Sequence, residues 1–439
     1  MAICVLALGL LQTHSNGQSK SVEELRVEVR ENLNTHILKP WFPSSVDLQG
    51  GGFFESFNNE WKPTGNEHIR SIVYQSRLTW VAASMVNNKD TGVSDDQMFR
   101  KACRHGISAL KSLMWDMGQG GFFWQVKIDQ VGHATPTTFD KHAYGNSFGI
   151  YASASAYGAT KDPQALKLAL DGFHWLDKHA HDNINGGYYE ALTRAGKPII
   201  TRSGNGRDNI GTKFGYKSMN SHIHLLEAFT ELYKVHPNRE VRVRLLELFK
   251  IVRDKVYVDP GCLHLYFNPN WRPIPDGDSF GHDIETAYLL VDAAEVLGMQ
   301  RDAATWRAAK NLVDHALEVG WDTKNGGFYD YGTAFGPASK LEKVWWTQAE
   351  GLNALLLIHL HNGGSTSKYW RAFLQQWNFI QMYQVDNKFG GWYSTVSPEL
   401  VAQADQNKSD QWKDPYHQGR ALMNVLRMLK SLNKGDTNE

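Results

Sequence analysis

A chain of 439 residues, 42% of them apolar, carries enough hydrophobic material for a large core. Lys+Arg and Asp+Glu balance at 46 each, which removes any electrostatic reason to expect nucleic acid or an anionic membrane as partner and favours a neutral one. Three cysteines, Cys4, Cys103 and Cys262, make neither a disulfide framework nor a metal-binding spacing.

The first element is an apolar run, Ala2 to Leu11, followed by a polar stretch through Lys20. Its length matches the hydrophobic region of an export signal and is far too short to span a bilayer. No Lys or Arg precedes the run and no clear small-x-small cleavage site follows it. Residues 1–20 are therefore set apart as a signal-like or disordered segment; an exported, for instance periplasmic, protein is the expectation and a cytoplasmic one the alternative.

Beyond it one pattern recurs, two glycines followed by two aromatics: Gly51-Gly-Phe-Phe54, Gly120-Gly-Phe-Phe123, Gly186-Gly-Tyr-Tyr189, Gly326-Gly-Phe-Tyr329 and Gly390-Gly-Trp-Tyr393. The second glycines, at 52, 121, 187, 327 and 391, are spaced 69, 66, 140 and 64 residues apart. At the midpoint of the long interval lies Asp259-Pro-Gly-Cys-Leu-His-Leu-Tyr266, a degenerate copy, so there are six units of about seventy residues. As local structure each copy is a tight turn in which glycine supplies positive φ and the rings anchor it.

Between copies lie two helix-length apolar patterns, as in Lys217 to Val235 and Arg239 to Val256, or Asp283 to Leu297 and Asp302 to Val319. The first helix, Val22 to Leu38, has no partner except the last, Pro415 to Leu432, and that pairing closes a ring. The expectation is an all-α fold: one (α/α)6 barrel over residues 21–433, with short glycine-aromatic β-hairpins between helix pairs and a pocket at one end.

If the helix after each hairpin is the inner one, its first turns line that pocket. In chain order they bring Arg77; Tyr144 and Asn146; Asn220, His222, His224 and Glu227; His282, Asp283 and Glu285; Trp345, Trp346 and Glu350; and Trp412, His417 and Arg420. His282 and Glu285, three apart, share a helical face, whereas His222 and His224, two apart, diverge, so one of these histidines is structural. Arg77, Glu227 and Glu350 have an equally good reading as buried partners between helices. No helix carries two histidines three or four apart, which argues against a metal clasp.

The combination Lys-Ser-Met-Asn-x-His-x-His-Leu-Leu-Glu-Ala from Lys217, Gly-His-Asp-Ile-Glu from Gly281, Trp-Trp-x-Gln-Ala-Glu from Trp345 and Trp-Lys-x-Pro-Tyr-His-x-x-Arg from Trp412 resembles the N-acylglucosamine 2-epimerase superfamily, and within it the cellobiose 2-epimerase branch. The similarity runs from about Trp41 to Met428, and the family's fold is an (α/α)6 barrel. The resemblance implies that His282 and His417 are the general acid/base pair and His224 a third pocket histidine. It implies sugar contacts for Arg77, Tyr144, Asn220, Glu285 and Trp412, a stacking platform from Trp345 or Trp346, and no metal or other cofactor. This chain departs from the branch at Asp414 and Gln418, where Cys and Asn are more usual, and at Gln75-Ser76 before Arg77 in place of Asn-Ala; the departures bear on which sugar is used.

Two histidines suit epimerisation at C2 of a reducing sugar. Once the ring has opened, the C2 proton must leave one face and a proton must return to the other, so two groups flank one carbon. An ordinary imidazole pKa of about 6.5 lets one be a neutral base and the other a charged acid near neutrality. The developing enediolate needs a cation or donors nearby, a role open to Arg77 and Asn220. Three further readings stand: an aldose-ketose isomerase using one face, an inverting glycosidase needing a second carboxylate such as Glu227 or Glu350 across the bond, and a sugar-binding protein without catalysis. Nothing in the sequence sets the oligomeric state.

Overall fold

The computed structural model describes residues 20–65, 68–92, 96–202, 206–362 and 367–435; the signal-like segment, with Cys4, lies outside the described residues. Twelve α-helices of eleven residues or more follow in chain order: α1 Val22–Asn32, α2 Ile72–Asn87, α3 Asp96–Ala109, α4 Ala143–Thr160, α5 Pro163–His179, α6 Met219–Val235, α7 Arg239–Ile251, α8 Phe280–Val296, α9 Ala303–Val319, α10 Trp345–Asn362, α11 Lys368–Phe379 and α12 Tyr416–Gly435. Short polar side chains start them: Ser21, Ser71, Asp162, Ser218, Asn238, Asp302 and Ser367 each accept a backbone N–H of the first turn.

The even-numbered helices form the inner ring. Each packs on the next even helix and α12 returns to α2, while α1 covers α12 and α3, α5, α7, α9 and α11 cover the inner helix before them. Composition explains the division. In α2 every residue from Ile72 to Val86 is buried, so the helix has no polar stripe; α3 and α11 bury one face only. This is the (α/α)6 barrel expected from the repeat. Helix starts differ from the sequence reading in two inner helices. Lys217 and Ser218 precede α6 as a strand, because Ser218 caps the helix, and α8 begins at Phe280, three residues before the predicted Asp283, which brings His282 into its first turn.

Short antiparallel strands staple each unit to the next at the N-terminal end of the inner helices. Ile69–Ser71 pairs with Gln125–Ile128, Arg70 opposite Val126. Lys141–His142 pairs with Ala191–Leu192, Lys217–Ser218 with Tyr266–Phe267, Gly277–Ser279 with Tyr331–Thr333 and Lys343–Val344 with Thr395–Val396. The last seam, between the sixth unit and the first, is the Phe57–Ser409 bridge.

The glycine pairs behave as expected: all ten residues of the five Gly-Gly copies have positive φ, from 68° to 93°. A second device at each turn was not anticipated. Asp47, Asp116, Asp182, Asp322 and Asp386, each five residues before the second glycine, accept two turn N–H groups on Oδ1 and a buried cation on Oδ2. The cations are Arg70, Lys141, Lys217, Lys343 and Lys408, at 2.5, 3.0, 2.8, 2.7 and 2.6 Å. A third contact fixes four of the five hairpins to their inner helices: the helix's fourth residue, Gln75, Asn146, His222 or Gln348, accepts the N–H of Phe53, Phe122, Tyr188 or Phe328.

Candidate active site

Because all six inner helices start at the same level, their first turns converge. Arg77, Tyr144, Asn220, His224, His282, Glu285, Trp345, Trp346, Trp412 and His417 line one cavity of about 180 Å³. The cavity thus holds the ten residues to which the resemblance gave roles, drawn from α2, α4, α6, α8, α10 and the loop and first turn of α12, whereas Asn146, His222, Glu227, Asp283, Glu350 and Arg420, also expected at this level, do not line it.

His282 and His417 both lie against Trp346, with ring centroids 4.8 and 5.5 Å from it. The Nδ1 of His282 is 2.7 Å from Ser279 Oγ, and the Nδ1 of His417 is 2.8 Å from Glu350 Oε1. Both contacts occupy the inner nitrogen and leave Nε2 to the cavity. Burial pushes His282 down to about 4, with His224 adding to the shift and Glu285 opposing it. Burial also drives His417 well below its ordinary value, helped by Arg77 and Arg420 against the pull of Glu285. Both shifts favour the neutral imidazole at pH 7, whereas the sequence reading had one of the rings charged.

His224 is set by Glu227, 3.1 Å from its Nδ1, and its ring meets Tyr144 edge-on at 5.2 Å. His222 is the structural member of that pair: its Nε2 accepts the Tyr188 N–H at 3.0 Å, its Nδ1 donates to Ser218 O at 2.7 Å, and burial lowers its pKa to about 3. Arg77 donates to Trp412 O and Asp414, each at 3.3 Å, and reaches Tyr144 Oη at 3.4 Å. Burial opposes the Arg77 charge, but Tyr144, Asp414 and Tyr416 outweigh it and keep the guanidinium protonated. Asn220 Oδ1 and Trp345 Nε1 are buried polar atoms without a partner in the protein, as groups awaiting a hydroxylated ligand would be.

Arg420, given no role from the sequence, forms the floor. Its guanidinium donates to Glu227, Glu285 and Glu350, one acid from each of three inner helices, and to Tyr416 Oη. Burial works against the Glu227 carboxylate, yet Arg420 and His224 hold it well below the usual range. Glu350 is shared between His417 and Arg420. The signal was present in the sequence: Glu227 and Glu285 each lie three residues after a pocket histidine, on helices with no buried basic partner of their own, so a cation had to come from elsewhere. The same salt-bridged floor answers the glycosidase reading. Neither Glu227 nor Glu350 is a free carboxylate across the cavity, and Asp283 is turned away from Glu285 and does not line the cavity.

Among the described residues no helix is long and apolar enough to cross a membrane. A cellobiose 2-epimerase of Bacteroides fragilis is 27% identical over 414 residues, covering 92% of this chain and 99% of that protein. A D-mannose isomerase of Marinomonas mediterranea is 26% identical over 422 residues, covering 90% and 97%. The solved structure of cellobiose 2-epimerase from Spirochaeta thermophila superposes with a TM-score of 0.82 at 28% identity, covering 94% of this chain and 98% of that one. The sequence model of the N-acylglucosamine 2-epimerase family matches residues 52–421, and with the barrel and its cavity in place the chain belongs to that family.

Proposed function

We propose that this protein epimerises reducing sugars at C2, interconverting gluco and manno configurations, with β-1,4-linked disaccharides such as cellobiose as its substrate class. The observation that carries the reading is the pair of histidines lining one cavity from two inner helices, each in contact with the same tryptophan platform. Trp346 holds the sugar plane, Arg77 and Asn220 bind the oxygens of the opened chain, and one histidine Nε2 takes the C2 proton. Negative charge then developing on the enediolate raises the proton affinity of the second ring, which takes a proton from solvent water and delivers it to C2 from the other face, while the first ring returns the abstracted proton to solvent. Electrons from the broken C–H bond pass into the enediolate and return to C2, so no redox cofactor is required. The family relatives named cellobiose 2-epimerase support the disaccharide.

A second reading, aldose-ketose isomerisation, is favoured by the relative named D-mannose isomerase; it would return the proton to C1. A proton NMR time course with cellobiose, lactose, mannose, glucose and N-acetylglucosamine as separate substrates decides between them. The expected result is a C2 epimer from the β-1,4-linked disaccharides. Ketose formation from mannose would favour the isomerase, and turnover confined to N-acetylglucosamine would overturn the disaccharide assignment.

A further inference from the structure

The fourth unit breaks the clasp described above, and it breaks it with charge reversal. Two residues before α2, α4, α6 and α10 stand Arg70, Lys141, Lys217 and Lys343, each a buried cation on the Asp of its turn. Two residues before α8 stands Asp278. The fourth residue of α8 is also an acid, Asp283, where the equivalent helices carry Gln75, Asn146, His222 and Gln348. Both carboxyls are fully buried, and His315 of α9, 6% exposed, places Nε2 2.9 Å from Asp278 Oδ2. One ligand atom from each of the three residues lies within 4.8 Å of the others.

Buried acids need a cation, a proton or hydrogen bonds. Here neither Asp283 oxygen and not Asp278 Oδ1 meets a well-aligned hydrogen-bond donor; what lies beside Asp283 is the Asp278 carboxyl, which opposes its charge, and the Leu263 N–H, which favours it. Among the described residues no Lys or Arg pairs with either carboxylate. The geometry points to a structural divalent-cation site at Asp278, Asp283 and His315, in which the metal supplies the positive charge that lysine or arginine supplies in the other units. One imidazole with two carboxylates suits Zn²⁺ or Mn²⁺. Ligands about 2.1 Å from such an ion stand roughly 3.4 Å apart, a closure that side-chain rotation reaches from the observed spacing. The site is apart from the sugar cavity, whose lining includes none of the three residues, and it does not depend on the reaction proposed above.

The test is elemental analysis and thermal unfolding of the full-length protein, dialysed and then titrated with ZnCl₂ or with MnCl₂, with and without EDTA. The expected result is about one equivalent of retained or rebound metal and an unfolding midpoint that rises with metal and falls with EDTA. Asp283→Asn, the residue type α4 uses at this register, and separately His315→Gln, should lose the metal and the EDTA sensitivity. If neither ion binds wild type to more than about 0.1 equivalent and the midpoint is unmoved, the site is overturned, and this outcome is readable even where a variant fails to fold.

Discussion

Asp414 shows how one side chain couples the cation of the cavity, Arg77, to the stability of the fold. Its Oδ1 accepts the Tyr416 N–H at 2.8 Å at the start of α12 and its Oδ2 faces Arg77. Burial lifts its pKa to about 6, against the opposing pull of Arg77 and of the Tyr416 N–H. The native state thus binds a proton more readily than the unfolded chain between the ordinary carboxylate value, about 3.9, and about 6. That preference contributes stability below pH 4 and is lost as pH rises through 6. Asp414→Asn keeps the cap and removes the titration, so it should gain about 1–3 kcal/mol over wild type at pH 8 relative to its effect at pH 4, read from unfolding midpoints. The same variant frees one anchor of Arg77 and should lower kcat at pH 8; equal stability effects at both pH values would refute the assignment. For the histidines, His282→Ala and His417→Ala should each reduce epimerisation in both directions at least 10²-fold, in kcat more than in KM. In D₂O one variant should wash deuterium into the gluco sugar and the other into the manno sugar. Full epimerase activity in either variant rules out the two-base assignment.

At the scale of an element, each Gly-Gly hairpin is a turn whose buried aspartate is matched by a buried cation. Lys217 donates to Asp182 and to the carbonyls of Gly186 and Pro269, and the lysine and the aspartate are 0% and 3% exposed. Lys217→Met would leave Asp182 buried and uncompensated, which costs about 3–5 kcal/mol. Adding Asp182→Asn, which keeps the turn acceptor, should restore at least about half of that loss in chemical denaturation; an additive double variant would mean that the pair is not coupled. The aspartates recur at a fixed five residues before the second glycine, and four of the five cations two residues before an inner helix. Both spacings were open to view in the sequence. What hid them was the separation of 21 to 35 residues between acid and base, since only the strand staples bring them together.

For the whole molecule, closure is the condition on which everything else depends. Leu25, Val29, Leu33, Ile37 and Leu38 of α1 and the turn after it are buried, Trp392 donates to Asn32 at 3.0 Å, and Trp377 donates to Glu28 at 2.8 Å. Each such apolar side chain contributes about 1.5–3 kcal/mol on burial, and together they rival a typical stability of about 5–15 kcal/mol. Deleting residues 21–40 should therefore give insoluble or unfolded protein. A soluble truncation that melts cooperatively and turns over sugar would contradict the closed ring.

The repeat period, the alternation of all-apolar and one-faced helices, and the motifs at the inner helix starts are local in sequence. They determined the barrel and the ten residues that meet at its mouth. Which of His222 and His224 faces the cavity, that burial there favours the neutral form of both proposed acid/base rings, and that Arg420 gathers Glu227, Glu285 and Glu350 were decided only by the tertiary structure. Those properties depend on distances between helices that no periodicity encodes, and on desolvation, which acts on a group only once the rest of the ring has closed around it.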